Sequence, residues 1–123
     1  MRKILIPTDF SENAMNAIKY AIELFKYEKS DYYIMNAYQD DIYADETLLE
    51  KESLDKITKR ISKKSLKALE IILNKIKELS PNPRHTYNII SSNNMLLDET
   101  DKIVDEKNID IIVMGTRGKT NDK

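Results

Sequence analysis

The segment Ile4-Leu5-Ile6-Pro7-Thr8-Asp9-Phe10-Ser11-Glu12-Asn13-Ala14 decides the fold. Its first three residues are a continuous apolar run, the pattern of a short strand buried on both faces, and Pro7 closes it. Residues 8–11 form a polar turn. From there Ala14, Ala17, Ile18, Ala21, Ile22 and Phe25 recur at spacings of three and four, which predicts an amphipathic helix over 11–27. Asp9 or Ser11 stands where a side-chain oxygen caps the helix's exposed N–H groups.

The same alternation continues outward. Residues 32–38 are rich in aromatic and apolar types and predict a second strand, with Asn36 as its polar interior member. Beyond a loop carrying Asp40, Asp41 and Asp45, helical spacing runs from Leu54 through Ile57, Ile61, Leu69 and Ile76 to Leu79, which predicts one long helix over 49–79. At 1.5 Å per residue it would reach roughly 45 Å, longer than the domain needs, so a bend or a projecting first turn is expected. Residues 80–83, with two prolines, end it. A third strand is predicted over 86–91. A third helix follows through Leu96, Leu97, Thr100, Ile103 and Val104, with cap candidates among residues 92–94 and its C-terminus at Asn108. A fourth strand covers 109–114. The order βαβαβαβ is that of an α/β domain: an open parallel sheet, right-handed crossovers and helices on both faces. Ligands of such sheets bind beyond the carboxyl ends of the strands, here at residues 7–9, 36–40, 91–93 and 114–119.

Composition bounds the function. A chain of 123 residues holds one domain with a single core. Twenty Lys and Arg against twenty-one Asp and Glu leave a net charge of −1, so no global field draws nucleic acid or an anionic membrane. The absence of cysteine removes disulfides, thiolate metal sites and cysteine nucleophiles, and the single His85 builds no multi-histidine site. The apolar stretch after Arg2 and Lys3 is too short for a secretory core, and no run approaches the roughly 20 residues of a membrane helix. A cytoplasmic protein is the default expectation.

The motifs are few. Gly115-Thr116-Arg117-Gly118 after a buried strand would let backbone N–H groups approach phosphate oxygens where a Cβ would block them, although a strand-ending turn accounts for the same residues. Gly118-Lys119-Thr120 resembles the tail of a Walker A loop, but the loop's first glycine would fall at Val113. Asp9 could accept hydrogen bonds from a base or ribose, or simply cap the following helix. Lys59, Arg60, Lys63, Lys64 and Lys67 form a basic band that reads as a solvated face, with Glu52–Lys56 and Asp55–Lys59 pairs at four-residue spacing. The acidic trio Asp40, Asp41 and Asp45 lacks the spacing of a calcium loop and reads as loop solvation. His85, beside Pro83, reads as a surface residue. No serine, histidine and carboxylate pattern and no carboxylate pair argues for strong chemistry.

Two segments carry a resemblance. The opening strand, Pro7-x-Asp9-x-Ser11 and the alanines 14, 17 and 21 resemble the start of universal stress proteins, and Ile109-Asp-Ile-Ile-Val-Met-Gly115-Thr-Arg-Gly118 is similar to that family's most distinctive segment. The resemblance implies a Rossmann-like domain of the adenine nucleotide alpha hydrolase type, covering residues 1–123 and lacking the family's last helix and strand. It implies a non-enzymatic stress-response or signalling module, with at most slow hydrolysis, that binds ATP or another adenine nucleotide, with or without Mg2+. The family's glycine motif is Gly, two residues, Gly, nine residues, then Gly and Ser or Thr, and only its first half is present. By resemblance Pro7, Thr8 and Asp9 meet adenine or ribose, Ala37 lines the base, and Met114, Gly115, Arg117, Gly118 and Lys119 approach ribose and phosphates. A homodimer or tandem pseudo-dimer is the implied assembly, with no nucleic acid or membrane partner. The alternative is a dimerising interaction module of the same fold that binds no nucleotide.

Overall fold

Ile4, Leu5 and Ile6 are fully buried, because the strand that carries them has a parallel neighbour on each side and helices over both faces. The computed structural model describes residues 1–44 and 50–115. Strands β1 (Arg2–Pro7), β2 (Ser30–Ala37), β3 (His85–Ser92) and β4 (Ile111–Ile112) form one parallel sheet in the order β3-β2-β1-β4. Helices α1 (Glu12–Leu24), α2 (Gln39–Tyr43), α3 (Leu54–Leu79) and α4 (Leu96–Lys107) connect them. The expected open parallel α/β sheet is therefore present.

The pleat sorts the core into two layers. Ile4 and Ile6, with Tyr32 and Ile34, face α1 and α3, where Ile18, Ile22, Phe25, Leu69 and Ile76 cover them. Leu5, Tyr33 and Met35 face the other way, against Ile103 of α4. Register keeps the layers aligned, since Ile4 stands opposite Tyr32 and Ile111, and Tyr32 opposite Tyr87. A smaller cluster of Tyr38, Ile42 and Ile57 fastens α2 to the first turns of α3.

Several boundaries differ from expectation for identifiable reasons. The long helix does not begin near residue 49. Ser53 is extended, and its hydroxyl accepts from the Lys56 N–H as an N-cap, so α3 starts at Leu54. Glu52 then lies outside the helix and reaches Arg60 at 2.6 Å instead of pairing with Lys56, while the Asp55–Lys59 pair forms at 3.8 Å. The segment after β2 coils into the short α2, where a loop was expected. At α4 the cap position is Met95, which offers no side-chain bond; Asn94 instead donates to the buried Glu99 at 2.7 Å. Ser11 caps α1, and Asn108 ends α4 at φ 54°, in the left-handed region that asparagine tolerates. The fourth strand's ladder is short, but the Asp110 and Val113 N–H groups extend its bonding to the Lys3 and Leu5 carbonyls. Among the described residues β4 is an edge of the sheet.

His85 is the clearest correction. It is buried, with only 6% of its surface exposed. Its Nε2 lies 2.9 Å from the Phe25 carbonyl oxygen and so carries the proton and donates, which leaves Nδ1, 3.3 Å away, to accept from the Tyr87 hydroxyl. Tyr32 packs edge-on to the imidazole and stacks on Tyr87, with centroids 4.9 and 5.3 Å apart. Proximity to proline in the sequence says nothing of this, because the bond spans β3 and the end of α1. Replacing His85 by Phe should preserve the volume but remove one of the two bonds to the Phe25 carbonyl, which keeps the Glu28 N–H at 3.0 Å, and take the Nδ1 acceptor from Tyr87. The expected cost in urea unfolding is about 0.5–1.5 kcal/mol, and an unchanged midpoint would show that the bond contributes nothing. Burial also pushes the Tyr32 and Tyr87 phenols above their ordinary range. The folded state resists their ionisation, so its advantage is intact below pH about 10 and declines as pH rises toward the folded values. Urea midpoints measured through the alkaline range should fall, and Tyr87→Phe should flatten that fall.

Candidate functional site

The turn after β1 is built from its own side chains. The Thr8 hydroxyl accepts from the Phe10 N–H at 3.0 Å, and Asp9 Oδ1 accepts from the Ser11 N–H at 2.9 Å. Phe10 sits at φ 67°, a conformation that costs a side-chain-bearing residue energy, and this turns the chain sharply from strand to helix. Thr8 is held from the neighbouring strand as well, its N–H donating to the Met35 carbonyl at 2.8 Å.

Beneath this turn lies a buried polar knot. Asn36 Nδ2 donates to the Thr8 carbonyl at 2.8 Å, the Ser65 hydroxyl donates to Asn36 Oδ1 at 2.8 Å, and the Ser65 and Ser91 hydroxyls lie 2.8 Å apart. Asn36 and Ser65 are 4% and 3% exposed, so these groups must satisfy one another. The carboxyl ends of β1, β2 and β3 are thereby tied to the middle of α3.

Above the knot a cleft of about 220 Å³ opens at the carboxyl ends of the strands. Pro7, Thr8 and Asp9 come from β1 and its turn, Ala37 from β2, and Met114 and Gly115 from the end of β4; all six line it. The sequence-stated candidates Arg117, Gly118 and Lys119 lie outside the described residues. The cleft also takes Asn36 and Asp40, which lie in the strand end 36–40 expected to face a ligand, and Asp41 and Leu96, which the sequence did not assign to a site. Asp40 and Asp41 are not idle loop residues: α2 begins directly after β2 and carries them to the same rim. Their place three and four residues beyond Ala37 was the available signal. Apolar walls at Pro7, Ala37, Leu96 and Met114 beside the carboxylates of Asp9, Asp40 and Asp41 suit a flat, donor-bearing ligand. Among the described residues no three acidic or imidazole side chains converge to hold a metal ion. A wider groove of about 620 Å³ runs beside residues 80–87 at the opposite end of β3, but of the ligand candidates named above none lies there.

Gly115 has a packing role beside the one its motif suggests. A Cβ there would overlap the Asn13 carbonyl oxygen and stand 2.9 Å from the Ala17 Cβ, so this glycine lets the end of β4 press against α1. Neither backbone can yield cheaply. Gly115→Ala should therefore destabilise the fold by about 1–3 kcal/mol, read as a lowered thermal midpoint, and unaltered stability would rule out the tight approach.

The model of the family described as "Universal stress protein family" matches residues 1–123. No match was found among curated proteins. Among solved structures, hypothetical protein MJ0577 superimposes with a TM-score of 0.70 at 24% identity, over 99% of this chain and 79% of that one. Hypothetical protein PH0823 gives 0.68 at 25% identity, over 99% and 80%. Universal stress protein UspA from Lactobacillus plantarum gives 0.57 at 18%, over 98% and 83%. The resemblances to MJ0577 and UspA show a common fold.

Proposed function

The chain belongs to the universal stress protein family, and from that premise we propose that it is a stress-response module that binds ATP or another adenine nucleotide at the carboxyl ends of β1, β2 and β4. The supporting observation is the convergence in one cleft of Pro7, Thr8, Asp9, Ala37, Met114 and Gly115, which come from three separate strand ends. A base lies against Ala37 and Pro7, and Asp9 accepts from its amino group or from the ribose hydroxyls. Phosphates lie toward Arg117, Gly118 and Lys119. Mg2+ enters with the phosphates, whose oxygens supply its ligands. The protein acts in the cytoplasm through binding and not through a demanding chemical step.

A second function, a dimerising module without nucleotide, draws support from β4, an edge strand among the described residues whose Ile112 is 45% exposed. A homodimer or a tandem pseudo-dimer would cover that edge.

Titration calorimetry separates the two. ATP should bind at micromolar to millimolar concentration, and Asp9→Ala should weaken both ATP and adenosine by about tenfold or more, as loss of a charged hydrogen bond does. Gly118→Val should weaken ATP more than adenosine, since its Cβ crowds phosphates and not the base. No heat at millimolar ATP, from protein whose circular dichroism is native, would overturn nucleotide binding and leave the interaction module.

A further inference from the structure

The basic band on α3 does not remain wholly on a solvated face. Lys59 answers Asp55, but Arg60 and Lys64, one helical turn apart, stand on the rim of a second cleft, of about 570 Å³, between α3 and the turn after β1. Ile61 and Ala68 of α3 and the ring of Phe10 give it apolar walls, and the buried Ser65 forms part of its floor. Asn36, Asp9 and Asp41 are common to both clefts and form the partition between them. One guanidinium N–H of Arg60 engages Glu52 at 2.6 Å, which leaves the rest of its donor fork for another acceptor. Lys64 makes no ion pair among the described residues.

We propose that this second cleft is a binding site for a small organic anion with a flat apolar body, of the aromatic carboxylate class. The body lies between Phe10 and Ile61 and the carboxylate faces Arg60 and Lys64. Three features select that chemistry. Both cations come from α3, one helical turn apart, whereas Asp9 and Asp41 come from the β1 turn and α2, so the two signs of charge enter the cleft from different elements. The same two carboxylates, with Glu52 beside Arg60, oppose a second negative charge and favour a carboxylate over a phosphate. Phe10 holds a partly exposed ring, 37% accessible, at a backbone position that a glycine would occupy with less strain. The site does not depend on a nucleotide in the neighbouring cleft.

Benzoate is the probe, with benzamide as its neutral isostere, followed by amide NMR on the full chain. Benzoate should shift the amides of Phe10, Ile61, Ser65 and Ala68 saturably in the millimolar range, and benzamide should bind about tenfold more weakly. Arg60→Gln with Lys64→Gln should lose about tenfold for benzoate and little for benzamide. Lys64→Gln alone, a change at an exposed residue, should fold normally and lose severalfold, which keeps the test decisive if the double variant unfolds. Shifts that do not saturate, shifts confined to Met114 and Gly115, or equal affinity for benzoate and benzamide would each overturn the proposal. Nucleotide binding is read at Met114 and Gly115 and this site at α3, so failure of one is distinguishable from failure of the other.

Discussion

The central strand β1 must be covered on both faces, and most of the architecture follows from that demand. Burying each of Ile4, Leu5 and Ile6 is worth about 1.5–3 kcal/mol, but only when partners cover both sides of the sheet. Parallel pairing to β2 and β4 requires long crossovers, and those crossovers are the helices that provide the cover: α1 and α3 on one face, α4 on the other. The same connectivity leaves the carboxyl ends of the strands facing one rim, where the candidate cleft opens.

That rim is organised by polar atoms buried under it. Thr8, Asn36, Ser65 and Ser91 come from four elements and close a chain of hydrogen bonds, so displacing α3 would leave buried acceptors and donors unmatched. The knot therefore holds the β1 turn, and Asp9 within it, in a set position relative to α3. It is also the physical link between the two clefts, since Asn36 lines both and Ser65 lines the second.

The cleft lies at the carboxyl ends of the strands, and its walls set what chemistry it can accept. The carboxylates of Asp9, Asp40 and Asp41 make the cleft better suited to donor-bearing groups such as a base or ribose than to bare phosphate. Gly115, in turn, belongs first to packing, because α1 passes too close for any side chain there.

Periodicity alone determined much of this protein. The apolar run at residues 4–6, the helical spacing from Ala14 to Phe25 and the strand and helix order were legible because burial imposes fixed periods on a chain whatever its partners are. Eight cleft residues, among them Pro7, Asp9, Ala37 and Gly115, were also legible, since strand ends can be located in sequence and parallel sheets gather them on one rim. What sequence left undecided were contacts between residues far apart in the chain. Whether His85 faces water or the Phe25 carbonyl, and whether Arg60 and Lys64 point to solvent or to a cleft, depend on which element lies across from them. Local propensity carries no information on that, and only the packing of α3 across the sheet decided it.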